Sequence, residues 1–319
     1  MRRVLVTGAT GFLGGHVARA LGPLNVVALG RDPDKCADLK AQGFDVLQHD
    51  LRRPLHAVPN IEAIVHCAAL SSAFGPYKAF KHANVDAVQN VVDLAKRLKV
   101  RRLVHISSPT IYFKMADRLD LSEDALLPRP INHYAATKRA GEDIIRSAPE
   151  VGAVILRPRG IYGPGDTTLL PTLLRAAQRR PFPMLRGGAA CIDLTHVEDV
   201  VRAVQCALKE DDALNGQVFN ISGGEVLPIR TIVDQTCVSA GVTARWRNVP
   251  LGLALGVARM SEICASLPGL PPPTVTRYTL GLFAFAQSLD ISKARTLMDW
   301  TPQIKFAEGL ANTIKANAA

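Results

Sequence analysis

The glycine-rich turn near the amino terminus places the tightest constraint on how this chain folds. Residues 2–7 carry the apolar core Val4-Leu5-Val6, which is typical of a buried parallel strand. Glycines 8, 11 and 14 follow at once, and an apolar-periodic helix runs on through 16–21. Such a turn lets the backbone approach a pyrophosphate, which the N–H groups at the helix start bind. A strand, a turn and a helix in this order predict a dinucleotide-binding unit, whereas the glycines alone would also suit an ordinary tight loop.

Strand and helix patterns alternate through the first half of the chain. Strands are predicted over 4–7, 26–29, 45–48, 63–67, 103–107 and 153–156, and helices over 12–21, 33–42, 83–98 and 134–147. This rhythm predicts an α/β fold, a doubly wound parallel (Rossmann) sheet with helices on both faces. We expect residues 1–158 to form the dinucleotide-binding domain, with a strand returning to it near 217–220. Residues 159–319, where Pro and Gly and later Leu and Ala are dense, are expected to form mainly a smaller substrate-binding lobe.

Charge and composition exclude several functional classes. The 319 residues carry a formal net charge of +10, but consecutive Lys and Arg residues occur only in pairs and aromatic residues make up 5%, so no nucleic-acid binding is expected. The charge suits an anionic cofactor or substrate. The six cysteines form no Cys-x-x-Cys pair, which indicates reduced, buried thiols and a cytoplasmic location without a signal peptide.

Neither a membrane span nor a metal site is expected from the sequence. Arg259 and Glu262 interrupt the most apolar late segment, 249–267, so it is a poor membrane span. The eight histidines form no His-x-x-x-His pattern, so we expect no catalytic metal. His133 is expected to start a helix, although contact with a substrate is an alternative, and His196 is expected to pack or to cap a helix.

The end of the second predicted strand bears on the choice of cofactor. NAD-binding chains usually have an acidic residue there, which holds the ribose hydroxyls. In this chain Gly30 and Arg31 occupy the position, and a guanidinium suits a 2′-phosphate. We therefore predict NADP. NAD is the alternative, because Asp32 follows one position later and Arg31 would then be a solvated loop charge.

Tyr134 and Lys138 are four residues apart in His-Tyr-Ala-Ala-Thr-Lys. On a helix, this spacing places both side chains on one face. A tyrosine has a pKa of about 10, and a nearby ammonium favours its phenolate. The pair therefore indicates an acid–base site, whereas the spacing taken alone also occurs in helices with a solvated lysine.

Together, the glycine turn, the Ser107-Ser108 pair at a strand end and the Tyr134/Lys138 pair resemble the extended short-chain dehydrogenase/reductase family of the NAD-dependent epimerase/dehydratase superfamily. The resemblance extends to the run from Arg157 to Pro164, to Asp193–Asp199 and to the closing segment 290–302. It covers essentially the whole chain. It implies an NAD(P)-dependent enzyme, and a homodimer formed through the helices that begin near Asn84 and Tyr134.

The resemblance also implies residue roles. Ser108 would hydrogen-bond the reacting oxygen, with Ser107 as the adjacent candidate. Tyr134 would exchange the proton, and Lys138 would hold the nicotinamide ribose and lower the Tyr134 pKa. Asp50 would contact the adenine amine, and Asn84 would support a helix. The cofactor contacts implied are Gly8, Thr10, Gly11, Phe12, Leu13, Gly14, Arg31, Asp50, Leu51, Ala68, Ala69, Tyr134, Lys138, Pro158, Gly160 and Ile161.

Two substrate classes follow from the resemblance. Nucleotide-sugar epimerases and dehydratases commonly have an Asn and an Arg that hold the diphosphate, and here those positions are Gly160 and Ile192; Arg159 or Arg186 would have to compensate. The runs 107–109 and 156–166 look more like 3β-hydroxysteroid dehydrogenases and bacterial 3-oxoalkanoate reductases. We therefore predict a ketone–alcohol oxidoreductase acting on an apolar substrate, with the epimerase as the alternative. A dinucleotide sensor without activity is disfavoured, because Ser108, Tyr134 and Lys138 are all present.

Apolar residues of the late lobe are the candidates for a substrate pocket, and ordinary core or dimer packing is their alternative role. These candidates are Leu251, Leu253, Leu255, Val257, Leu280, Leu282, Phe283 and Phe285.

Overall fold

The fold is known from a computed structural model that describes residues 3–56, 58, 60–267 and 269–318. The strands are β1 (Val4–Thr7), β2 (Val26–Gly30), β3 (Asp45–Gln48), β4 (Ala63–His66), β5 (Arg102–Ile106), β6 (Arg118–Leu121), β7 (Ala153–Pro158), β8 (Ile161–Tyr162), β9 (Phe182–Met184), β10 (Cys191–Asp193), β11 (Thr195–His196), β12 (Val218–Ile221), β13 (Val226–Pro228), β14 (Trp246–Asn248) and β15 (Gln287–Leu289). The α-helices are α1 (Phe12–Leu21), α2 (Pro33–Ala41), α3 (Tyr77–Lys81), α4 (Ala87–Leu98), α5 (His133–Arg146), α6 (Leu169–Arg179), α7 (Val197–Ala207), α8 (Ile229–Ser239), α9 (Leu251–Ala265), α10 (Arg277–Ala284), α11 (Ser292–Leu297) and α12 (Phe306–Ala318). A π-helical turn, His82–Asp86, joins α3 to α4.

Seven parallel strands form the central sheet, in the order β3-β2-β1-β4-β5-β7-β12. The predicted α/β, doubly wound class is confirmed. The strand order reverses between β1 and β4, so a crevice opens beyond the carboxyl ends of these two strands.

The central strands are continuous apolar runs because helices cover both faces of the sheet. Every residue of β1, β2, β4 and β5 is buried. On one face, side chains of α1, α2, α7 and α11 pack into one core cluster with the sheet. On the other face, side chains of α4 and the end of α5 form a second cluster. This packing fixes the strand ends that carry the candidate site.

The second half of the chain contributes to the central sheet and also builds separate small sheets. Strand β12 pairs with β7, and α7 and α11 pack on the sheet. The remaining strands form a four-stranded sheet, β13-β10-β15-β6, and the pairs β8/β11 and β9/β14. The chain therefore crosses more than once between the central sheet and the late lobe.

Helix α9 lies at the surface of the lobe. Its Ala254 and Ala258 pack toward α10, whereas Leu253 and Val257 are 63% and 62% exposed. Core packing is therefore excluded for Leu253 and Val257, because the small alanines of α9 form its inner face; a role of these two residues in a pocket or a dimer interface stays a prediction. In the part of the chain that the structure describes, no helix combines the length and apolarity needed to cross a bilayer.

All six cysteines are free thiols, and their burial differs. Cys36 and Cys237 are buried, Cys67, Cys191 and Cys206 are half-buried, and Cys264 is exposed on α9. The expectation of buried thiols was therefore wrong for Cys264, which lies on the outer face of its helix.

Candidate active site

The glycine turn between β1 and α1 is held by backbone contacts. Gly8 has φ +70°, and a Cβ there would lie 2.8 Å from the Ala68 nitrogen. A Cβ on Gly14 would lie 2.2 Å from the Gly8 carbonyl oxygen. Only glycine allows this close approach of turn and helix. The α1 N-cap is Gly11 with no capping side chain, so the helix start presents backbone N–H groups.

A cleft of about 520 Å³ lies at the crevice between β1 and β4. Eight of the predicted cofactor residues line it: Gly8, Thr10, Gly11, Arg31, Asp50, Leu51, Ala68 and Ala69. Sequence reasoning missed several others, namely Lys35, His49, Arg52 and Leu70. Lys35 and Arg52 could have been predicted, because they lie close in the sequence to Arg31 and Asp50, respectively.

The other predicted cofactor residues are not among the residues that line this cleft. Phe12, Leu13 and Gly14 form the first turn of α1, directly after the glycine turn. Pro158 ends β7 and Ile161 starts β8. Gly160 lies between them with φ +49°, and a Cβ there would lie 2.4 Å from Leu194 Cδ2. Pro158, Gly160 and Ile161 therefore lie where the chain turns sharply at the carboxyl edge of the sheet.

Positive charge surrounds the end of β2. The Asp32 carboxylate caps α2, accepting from the backbone nitrogens of Asp34 at 3.1 Å and Lys35 at 3.2 Å. Asp50 forms an ion pair with Arg52 at 2.5 Å, and the hydrogen bond from Arg52 lowers the Asp50 pKa to about 2. Both nearby carboxylates already have partners, whereas Arg31 and Lys35 are exposed at the cleft.

Ser108 and Tyr134 come together at the end of β5. Ser108 follows β5, and Tyr134 lies in the first turn of α5, which Asn132 caps by accepting from the Ala135 nitrogen at 2.8 Å. Burial raises the pKa of the Tyr134 phenol, while hydrogen bonds with Ser108 and Ser71 lower it. The net direction is upward, because burial outweighs these hydrogen bonds; a lowering by Lys138 stays a prediction.

Lys138 is 2% exposed, one turn after Tyr134 on α5. Its Nζ donates to the Ile106 carbonyl oxygen at 2.6 Å, at the end of β5. Burial lowers the Lys138 pKa to about 8, and the Glu142 charge opposes this shift. The ammonium is therefore anchored to the strand that leads to Ser108.

Ser107 belongs to a buried ionic network. Its Oγ donates to Glu142 Oε1 at 2.5 Å. Arg157 donates to both Glu142 oxygens, at 2.8 and 2.5 Å, and also donates to the Tyr112 hydroxyl. This network commits Ser107 to a structural contact, so Ser108 is the better candidate for binding substrate.

A second tyrosine reaches the site from the late lobe. Ser108 Oγ and Thr110 Oγ1 lie 2.9 Å apart, and Thr110 Oγ1 lies 3.2 Å from the Tyr278 hydroxyl on α10. Sequence reasoning missed Thr110 and Tyr278. Tyr278 had no local motif that would reveal it, because it lies 168 residues from Thr110.

The remaining predicted residues have structural contacts. Asn84 Oδ1 accepts from the Leu70 nitrogen at 2.8 Å and Asn84 Nδ2 donates to Thr137 Oγ1 at 3.1 Å, which ties the π-helical turn to α5. His196 caps α7, as predicted, and His133 begins α5. Among the described residues, no group of three or more His, Cys, Asp or Glu side chains is arranged to hold a metal ion.

Comparisons with known proteins agree with this geometry. Residues 4–222 match the model of the NAD dependent epimerase/dehydratase family. The uncharacterized protein YbjS of Escherichia coli is 31% identical over 98% of this chain and 96% of its own length. The 2-alkyl-3-oxoalkanoate reductase of Stenotrophomonas maltophilia is 29% identical over 99% of both chains.

A solved structure shows the same architecture. MoeE5 in complex with UDP-glucose and NAD superposes with a TM-score of 0.76 and 26% identity, covering 99% of this chain and 98% of MoeE5. The predicted resemblance and the prediction of an enzyme are confirmed. The chain belongs to the NAD dependent epimerase/dehydratase family of extended short-chain dehydrogenases/reductases.

Proposed function

We propose that this protein is an NADP-dependent oxidoreductase that interconverts a ketone and a secondary alcohol on a largely apolar substrate. The observation that carries the proposal is the hydrogen bond between Ser108 and Tyr134 beyond β5, with Lys138 one helical turn away and anchored to the last residue of that strand. The 29% identity to a 2-alkyl-3-oxoalkanoate reductase over the full chain supports the reaction type.

The residues around the cleft fit a dinucleotide. The contacts at Gly8 and Gly14 bring backbone to the α1 start, where N–H groups and the helix dipole favour a pyrophosphate. Asp50 would contact the adenine amine, and small Ala68 and Ala69 would let the adenosine pass. Arg31, with Lys35 and Arg52 nearby, would bind a 2′-phosphate. When bound, the cofactor supplies the hydride for reduction or accepts it in oxidation.

The proton chemistry belongs to Tyr134. In reduction, Ser108 Oγ would donate a hydrogen bond to the substrate carbonyl oxygen, and the Tyr134 hydroxyl would transfer its proton to that oxygen as negative charge develops. The raised Tyr134 pKa keeps the phenol protonated at neutral pH, which suits this role. In oxidation, the same phenol oxygen would accept the proton, and the Lys138 charge would stabilise it.

A nucleotide-sugar epimerase or dehydratase is the second candidate, supported by the likeness to MoeE5 with UDP-glucose and NAD. Two positions disfavour it. Gly160 and the buried Ile192 lack the polar side chains that would hold a diphosphate.

One experiment separates the two candidates. Purified protein is examined by absorbance for retained dinucleotide and is then assayed with NADPH and a long-chain apolar ketone. We expect no retained cofactor and oxidation of NADPH by the ketone. Tightly held NAD, together with turnover of a UDP-sugar and no ketone reduction, would replace the proposal with the epimerase.

A further inference from the structure

Two buried donors beside the candidate active site have no hydrogen-bond partner among the described residues. They are Arg159 Nη2 and Gln287 Nε2, on side chains that are each 4% exposed. Buried polar groups in proteins are nearly always hydrogen-bonded, because a buried donor without a partner has lost its hydrogen bonds to water. Two such donors next to each other indicate a site for an acceptor.

The two side chains are held in place by other contacts. Arg159 Nη1 donates to Gln287 Oε1 at 3.1 Å. Arg159 Nε forms an ion pair with Asp193 Oδ1 at 3.2 Å, without hydrogen-bond geometry. Asp193 Oδ2 accepts from Ser222 Oγ at 2.5 Å and from the Leu289 nitrogen at 3.1 Å. Asp193 therefore fixes the guanidinium and balances its charge, while Nη2 is left over.

These donors lie beside the reacting groups. Strands β5 and β7 are neighbours, with Ile106 opposite Leu156, so Ser108 and Arg159 follow adjacent strands at the same edge of the sheet. Burial raises the pKa of the Tyr278 phenol, and the Thr110 hydrogen bond and the Arg159 charge oppose that rise, so the guanidinium lies near the phenol. Tyr278 in turn reaches Ser108 through Thr110, by contacts of 3.2 and 2.9 Å.

We propose that Arg159 and Gln287 bind a carboxylate of the substrate, next to the carbonyl or hydroxyl group that Ser108 and Tyr134 act on. The inference rests on the proposed function and narrows its substrate class to oxo acids and hydroxy acids with apolar chains. A carboxylate is a planar acceptor that takes two or more N–H donors. Because Asp193 already balances Arg159, a singly charged group suits the site better than a diphosphate does.

The test compares a long-chain 2-alkyl-3-hydroxyalkanoate with its methyl ester as substrates for oxidation with NADP⁺. The ester keeps the apolar chains and the reacting hydroxyl but has no charge. Wild-type protein is expected to oxidise the acid with a kcat/KM at least tenfold above that of the ester, since a hydrogen bond to a charged group contributes about 1.5–3 kcal/mol. Equal use of acid and ester would overturn the carboxylate site and leave the proposed function standing. Oxidation of neither substrate would reject both.

Variants of Arg159 and Gln287 test whether these two donors cause the preference for the acid over the ester. Arg159→Lys keeps a charge for Asp193 and removes the planar donor pair, and Gln287→Met removes the amide at similar size. Each is expected to lower kcat/KM for the acid about tenfold or more and to leave the ester within twofold. Arg230→Lys is the matched control, because Arg230 is an exposed arginine paired with Asp234, and it should change neither value. Equal losses on acid and ester would show a structural role and overturn the proposal.

A binding measurement avoids dependence on turnover. The hydroxy acid should raise the Tm of the wild-type protein and leave the Tm of Gln287→Met unchanged. The ester should raise the Tm of neither protein. If Arg159→Lys does not fold, Gln287→Met alone decides the matter. Stabilisation by UDP-glucose and not by the hydroxy acid would assign the two donors to a diphosphate and overturn the carboxylate.

Discussion

Helices α1 and α9 are both apolar and each contains two glycines, yet the structure uses them in opposite ways. On α1, Val17 and Ala18 are buried against the sheet, and Gly14 lies against the backbone of the turn. On α9, Leu253 and Val257 face outward, and a Cβ added at either glycine of this helix would meet no atom within 4 Å. In the first half the backbone itself forms the proposed cofactor-binding surface, so its local sequence is tightly constrained. In the late lobe the contacts are made by side chains, so the local sequence there is less constrained than in the glycine turn.

The two regions also differ in how far apart in the sequence their proposed functional residues lie. The proposed cofactor contacts come from neighbours in sequence, such as Gly8, Gly11 and Gly14. The candidate substrate contacts depend on residues far apart, since Arg159 and Gln287 are separated by 128 positions. Variants that pair one residue from each region test whether this separation holds.

Tyr134→Phe and Tyr278→Phe give the largest expected contrast. Tyr134 carries the proton in the proposed mechanism, so its loss should lower turnover about 10²- to 10⁴-fold while NADPH still binds. Tyr278 only bonds Thr110, so Tyr278→Phe should lower turnover less than tenfold. Steady-state rates and NADPH fluorescence titration measure both effects. Near-normal turnover in Tyr134→Phe would mean that another group exchanges the proton.

Glu142→Gln tests the buried network of Ser107, Glu142 and Arg157, which lies next to the proposed catalytic residue Ser108. Glu142 and Arg157 have side chains that are 2% and 1% exposed, so removing one charge leaves the other buried and unpaired. We expect a loss of about 3–5 kcal/mol in the free energy of unfolding.

Glu150→Gln is the matched control for this change. It removes a carboxylate that is 54% exposed and paired with Lys96, and the free energy of unfolding should hardly change, because solvent screens an exposed ion pair. Urea denaturation measures both variants. Equal losses would contradict the burial argument.

Gly14→Ala and Gly256→Ala compare the two helices directly. A methyl group on Gly14 would lie 2.2 Å from the Gly8 carbonyl oxygen, so the turn must shift. We expect about 1–3 kcal/mol of destabilisation and weaker cofactor binding. Gly256 lies within exposed α9 with open space around it, so Gly256→Ala should stabilise the protein by about 0.5–1 kcal/mol. Thermal unfolding with and without NADPH measures both changes. The prediction would be contradicted if the two variants had the same Tm and the same rise in Tm on adding NADPH.

The sequence predicted the sheet well because a strand buried on both faces reads as a local apolar run. The predicted strands at 4–7 and 45–48 match β1 and β3, and the helix at 12–21 matches α1. The strand expected near 217–220 is β12. Each of these segments carries its own pattern, and parallel pairing then brings the strand ends together.

The late lobe was harder to predict because its contacts are made between distant segments. Tyr278 contacts Thr110 across 168 positions, and α9 buries Ala254 and Ala258 whereas the more apolar Leu253 is exposed. The network around Glu142 was also missed, since a Glu four residues after Lys138 looks like an ordinary helical pair until Ser107 and Arg157 surround it.

Cofactor preference gives the smallest expected effect, because the side chains involved are exposed. Arg31→Ala should reduce the ratio of kcat/KM for NADPH to that for NADH about tenfold, since one charge-assisted contact to the 2′-phosphate is lost while Lys35 and Arg52 remain at the cleft.

Asp32→Asn is the matched change at the next position. Asn caps a helix about as well as Asp, so α2 should be preserved. If Asp32 held the ribose of NADH, Asp32→Asn would weaken NADH use and leave NADPH unchanged. Because its carboxylate already accepts from the Asp34 and Lys35 nitrogens, we expect the ratio in Asp32→Asn to stay within twofold of wild type. A larger fall in NADH use for Asp32→Asn than in NADPH use for Arg31→Ala would reverse the assignment and make NAD the cofactor of this half of the molecule.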